Sequence, residues 1–114
     1  MRLPFPPSVN TYWRKSPRGM YLSKSAIDFK LMTIEVVGHR TEPLYRDEEL
    51  KIKMSLCPPD KRKRDLDNFA GKAIFDALMG AKLFTDDSQI RQIESEFVAP
   101  NGVRGFCDVV LEEL

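Results

Sequence analysis

Residues 50–78 read LKIKMSLCPPDKRKRDLDNFAGKAIFDAL. The first eight alternate, with Leu50, Ile52, Met54 and Leu56 apolar, which is the period of a half-buried strand. Pro58 and Pro59 end it, because consecutive prolines cannot donate to a ladder. The far end of the stretch predicts a helix over residues 68–79, N-capped by Asp67, with Ala70, Ala73, Ile74, Ala77 and Leu78 on its inner side. Gly80 stands where a C-cap glycine belongs. Four consecutive cations, Lys61, Arg62, Lys63 and Arg64, and two aspartates, Asp65 and Asp67, lie between strand and helix.

Outward from this unit, residues 1–6 predict a short strand stopped by Pro6 and Pro7. The segment SVNTYWRKSPRGMYLS is a polar loop carrying aromatics and cations, with a short strand at residues 20–22. Trp13 is expected to be packed rather than stacked on a base. Ser23 or Ser25 N-caps a helix that runs to about Gly38, whose buried stripe is Ile27, Leu31 and Ile34 with Val37 or Phe29. Beyond the second helix, KLFTDDSQ leads to a strand over QIRQIESEFVA, and Pro100-Asn101-Gly102-Val103 marks a turn into a last strand, RGFCDVVLEEL. The order β-α-β-α-β-β predicts an α+β domain with a small mixed β-sheet and both helices on one face. At 114 residues the chain has room for one core, so residues 1–114 are read as a single domain.

Apolar residues at 42% and charged residues at 31% are those of a globular protein. No run approaches the ~18 apolar residues of a membrane span, and MRLPFPPSVN has no apolar core of signal-peptide length. A cytoplasmic protein is expected, with Cys57 and Cys107 reduced and buried. Eighteen cations against seventeen carboxylates give a net charge of +1, which does not by itself point to a nucleic-acid partner. The distribution does more, because Arg14, Lys15 and Arg18 cluster early, residues 61–64 are all basic, and acids gather at residues 47–49 and 112–113.

In extended backbone, residues two apart project to one side about 6.5 to 7 Å from each other, so Asp65 and Asp67 can face one point. Asp86 and Asp87, in the loop after the same helix, offer a third carboxylate if that loop returns toward the same edge. Three carboxylates suit Mg²⁺, or Mn²⁺ in its place, because hard cations take oxygen ligands. The basic run would neutralise phosphates, and Lys72 would stabilise developing negative charge. Each feature also has a plainer meaning: Asp67 as a helix cap, Lys72 and Asp76 as a surface ion pair, KRKR as a solvated loop, TDDSQ as a polar turn, and His39 as an exposed residue at a helix end.

The combination of PPSVNTYWR, KRKRDLDN, FDAL and TDDSQI, in this order over most of the chain, resembles the RusA family of Holliday junction resolvases. The resemblance implies a homodimeric, Mg²⁺-dependent endodeoxyribonuclease that binds four-way junction DNA and nicks two strands symmetrically. It assigns the metal-binding and catalytic aspartates to Asp65, Asp67 and Asp87, the catalytic lysine to Lys72 and a DNA contact to Arg64. The family's lysine follows the motif's Asn by three residues. Here Gly71 holds that place and Lys72 comes fourth, so a shifted first helical turn is expected to absorb one extra residue. A two-fold dimer would supply two sites for two incisions, through the loop of residues 6–13 or an edge strand. A junction-binding module that does not cut, and a metal nuclease acting on other branched DNA, are the alternatives.

Overall fold

The computed structural model describes residues 1–100 and 104–114. In chain order the elements are β1 (Arg2–Pro4), α1 (Val9–Tyr12), β2 (Trp13–Ser16), β3 (Gly19–Leu22), α2 (Lys24–Val37), β4 (Leu50–Cys57), α3 (Lys72–Gly80), β5 (Ile90–Phe97) and β6 (Phe106–Glu113). Short 3₁₀ turns at Leu66–Asn68 and Asp87–Gln89 flank α3. The expected turn at residues 100–103 rests on residues 101–103, which lie outside the described residues.

The sheet has the order β1-β6-β4-β5, with β4 and β5 parallel and the other pairs antiparallel. It is therefore mixed, as the α+β reading predicts, with a separate two-stranded β2–β3 hairpin beside it. Leu50, Ile52, Met54 and Leu56 are each at most 1% exposed, and burying each stabilises the fold by about 1.5–3 kcal/mol. They share one core with Phe29 of α2 and Ile74 and Leu78 of α3. The opposite face of β4 carries Lys51 and Lys53, paired with Glu94 at 2.6 Å and Glu112 at 3.4 Å, so α2 and α3 cover one side of this strand and the other is polar.

Three local expectations are corrected. In α2 the buried residues are Ala26, Phe29 and Thr33, whereas Ile27 and Leu31 are exposed. The helix carries two apolar stripes, and periodicity does not choose between them. The Thr33 hydroxyl donates to the Phe29 carbonyl at 2.8 Å, and this local bond lets a threonine enter the core. Ser23 is the cap, its hydroxyl accepting from the Ala26 amide at 3.2 Å.

Second, the helix after the basic run starts at Lys72 rather than Asn68, with Gly71 at its N-cap and not Asp67. Third, Gly80 is the last residue of α3, Ala81 is the C-cap and Lys82 takes the positive φ.

Cys57 and Cys107 are free and buried, and burial pushes the Cys107 thiol up to about 12. The reactive species is the thiolate. Cys107 should therefore resist iodoacetamide at pH 8 in the native protein and react fully in denaturant, as mass spectrometry of the alkylated peptide would read. Equal labelling in both states would contradict this packing.

Candidate nucleic-acid interface and carboxylate site

The connection from β4 to α3 carries most of the candidate residues. Asp65 is extended, at φ −91° and ψ 128°, and the chain then tightens into the Leu66–Asn68 turn, so Asp65 and Asp67 do not share one extended run as expected. Phe69 leaves this turn to pack 5.1 Å from Phe5 and 6.5 Å from Phe97, ring centre to ring centre. Gly71 follows at φ 147°, a region side chains rarely adopt. Residues 69–71 are thus irregular, and the helix begins only at Lys72.

Parallel strands require a crossover that carries the chain from the C-terminal end of one to the N-terminal start of the next. Asp65 and Asp67 stand at the first end, where Phe69 meets Phe97, the last residue of β5. Asp87 arrives at the other end, just before Ile90, which pairs with Leu50 at the start of β4. An eight-residue strand spans about 23 Å. Within one copy of the chain Asp87 therefore stands away from the edge that holds Asp65 and Asp67, and the condition on that loop's return is not met there.

Among the described residues no three His, Cys, Asp or Glu side chains are grouped to hold a metal ion. Carboxylate oxygens are nevertheless donors that a hard cation takes. All three aspartates are exposed, and among the described residues none of their carboxylates accepts a hydrogen bond or pairs with a cation. In contrast, Asp86 caps its own turn by accepting from the Ser88 amide at 3.0 Å. One copy of the chain supplies suitable donors but separates the third from the first two.

The basic run divides into two kinds. Arg62 and Arg64 both hold Asp60, at 3.0 Å and 2.9 Å, and hydrogen bonds from Arg62 first and Arg64 second keep that carboxyl well below the usual carboxylate range. Arg64 also donates to the carbonyls of Asp60 and Arg62 at 3.2 and 3.1 Å, and its side chain is only 12% exposed. It clasps the loop as well as carrying charge.

Lys61 and Lys63 are exposed and make no ion pair among the described residues. Lys63 lines an open cleft of about 350 Å³ with Ser8, Asn10, Asp65 and Asn68. Replacing Lys61 and Lys63 together by Ala should weaken DNA binding and flatten its salt dependence by about one counterion per lost phosphate contact. An unchanged slope of affinity against salt concentration would make both lysines a solvated loop.

Lys72 opens α3, and its ammonium lies 3.3 Å from the Asp76 carboxylate. That carboxylate also accepts a 2.7 Å hydrogen bond from the hydroxyl of Tyr12, a residue only 1% exposed. Burial first, and then this bond, raise the Tyr12 phenol well above its ordinary value. The pair that spacing alone makes an ordinary surface contact is thus anchored from below. Asp76 was legible as the i,i+4 partner of Lys72 and Tyr12 only as part of PPSVNTYWR, and the bond between them was not legible, since no local pattern joins residues 64 positions apart. Arg14, Lys15 and Arg18 all lie exposed in the β2–β3 hairpin. Trp13 is 42% exposed, touching Tyr12 edge-on at 5.6 Å, and is not packed as expected.

Residues 4–104 match the family model described as endodeoxyribonuclease RusA. The crossover junction endodeoxyribonuclease of Enterobacteria phage HK97 is 34% identical over 91 residues, which are 80% of this chain and 75% of that protein. The crossover junction endodeoxyribonuclease RusA of Escherichia coli K12 is 33% identical over 88 residues, 77% of this chain and 72% of that protein. Among the described residues no helix is long and apolar enough to cross a membrane.

Proposed function

This chain belongs to the RusA family of endodeoxyribonucleases, and on that premise we propose that it resolves four-way DNA junctions by paired symmetric nicks, with a role in DNA recombination and repair. The observation that carries this reading is the β4–α3 connection, where two carboxylates and two lysines without partners among the described residues, and an anchored lysine, follow one another within twelve residues, Lys61 to Lys72. Lys61, Lys63 and the hairpin cations neutralise phosphates along the DNA. The Lys72 ammonium, steadied by Asp76, faces negative charge as it develops on the phosphate oxygens.

Mg²⁺, with Mn²⁺ as a substitute, belongs to the same proposal, and Asp65, Asp67 and Asp87 are the residues that would hold it. A divalent cation in such a site supplies an activated water and charge stabilisation at the phosphate. The distance of Asp87 from the other two supports a homodimer in which one copy contributes Asp65 and Asp67 and the second contributes Asp87. A two-fold arrangement would make two such sites, one for each incision.

The test is cleavage of a synthetic four-way junction with and without Mg²⁺, beside a duplex of the same length. Metal-dependent nicking of opposing strands supports the proposal. Binding without nicking would leave a junction-binding module, and equal cutting of linear duplex would make this a different nuclease.

A further inference from the structure

Residues 13–21 form one exposed run, nine in a row, containing Arg14, Lys15 and Arg18. No carboxylate precedes Asp28 in the chain, so no acid within or before the hairpin offsets these charges. The same run exposes Trp13 at 42%, Met20 at 60% and Tyr21 at 52%. Large apolar groups held out in water together mark a contact surface more often than a solvated one.

The register sharpens this. Trp13 pairs with Leu22 and Lys15 with Met20, while Arg14 pairs with Tyr21. Directly paired residues share a face and neighbours alternate. One face therefore carries Trp13, Lys15 and Met20, and the other sets Arg14 against Tyr21.

A two-stranded ribbon is marginal when free, but this one is tied to the body of the protein at its root and closed by its own hydrogen bonds at its tip. At the root the Ser23 amide donates to the Tyr12 carbonyl at 2.9 Å, and the Tyr12 hydroxyl ties it to α3 through Asp76. At the tip the Ser16 hydroxyl donates to the Gly19 carbonyl at 3.1 Å and accepts from the Arg18 amide at 3.2 Å. A surface aimed in advance loses little freedom on binding. The root also adjoins the cleft that Asn10 and Asp65 line.

We propose that the β2–β3 hairpin is a stacking wedge for unpaired nucleotides at the branch point of DNA, with Trp13 and Met20 as its contact surface; this rests on the branched-DNA reading above. The cations hold flanking phosphates, and the aromatic and thioether groups meet base faces. Intact duplex hides those faces inside its stack, whereas a branch point offers them. The hairpin thus separates branched from linear DNA without reading sequence.

Trp13 is the only tryptophan in the chain, so its emission reports the contact directly. The full chain is titrated, without divalent metal, with a four-way junction and with a duplex of equal length. Emission is expected to fall by about half or more with the junction and to hold with the duplex, as base stacking on the indole requires. Trp13→Ala and Met20→Ala should each cost about tenfold in junction affinity and leave duplex affinity within about twofold. Unchanged emission at saturating junction, equal quenching by duplex, or unaltered junction affinity in both variants overturns the wedge. Parallel cleavage by the unmodified protein in Mg²⁺ separates the two readings. Cleavage without quenching removes the wedge alone, and junction-selective quenching without cleavage removes the nuclease reading alone.

Discussion

Asp67→Asn and Asp87→Asn are each expected to abolish junction cleavage as homodimers, by about a hundredfold or more, while heterodimers of the two regain it. Asn keeps the size of the side chain but removes the charge, so DNA binding should hold or tighten as repulsion with phosphate falls. The recovery follows from the two ends of the β4–β5 pair. In a shared arrangement one site of the heterodimer carries both substitutions and the other carries neither. Heterodimers purified through two different tags should therefore cut one strand of the junction and fail to cut its counterpart. If all three aspartates met within one copy, both sites would carry one defect and no cleavage would return. Gel analysis with each strand labelled in turn distinguishes these outcomes.

Lys72→Ala carries the second large effect. The loss of one preorganised cation aimed at developing charge is expected to lower single-turnover cleavage by about a hundredfold to a thousandfold, with junction affinity nearly unchanged. Tyr12→Phe is the informative companion, since it leaves Lys72 and Asp76 in place but removes the 2.7 Å bond that steadies their shared carboxylate. Losing a hydrogen bond to a charged group costs about 1.5–3 kcal/mol of stability. Thermal unfolding should therefore register the change whatever its role. A fall in the cleavage rate of the folded variant, measured well below its Tm, would tie Tyr12 to the aim of Lys72. A full cleavage rate in folded Tyr12→Phe would confine Tyr12 to packing, and a full rate in Lys72→Ala would remove the lysine from the reaction.

Much of the fold was legible because its signals are local. The alternation over Leu50–Cys57 and its double-proline stop marked β4 to the residue, and Ser23 or Ser25 at one end and Gly38 at the other bounded α2, with Ser23 the cap in the fold. Local signals also misled where two solutions fit one pattern. Asp67 has the chemistry of an N-cap, yet the helix starts after Gly71, because Phe69 packs against Phe5 and Phe97 before the chain can wind. Ile27 and Leu31 have helical spacing as good as that of Phe29, and only the shape of the core selected the latter. For the candidate site, the chain itself named the residue types and their order.

What the amino-acid sequence determined by itself was the long strands and the two longer helices, the α+β class and the identity of the charged groups, since periodicity, capping and proline or glycine breaks act over a few residues; α1 and β2 formed in a segment that reads as a polar loop. The tertiary structure alone decided which of those groups meet. Asp60 captures Arg62 and Arg64 and leaves Lys61 and Lys63 unpaired among the described residues. Tyr12 reaches Asp76 across 64 positions. The parallel pairing of β4 with β5 sends Asp87 to the far end of the sheet. Each of these depends on long-range packing, and charges fixed in sequence acquire partners only when distant segments are brought into one place.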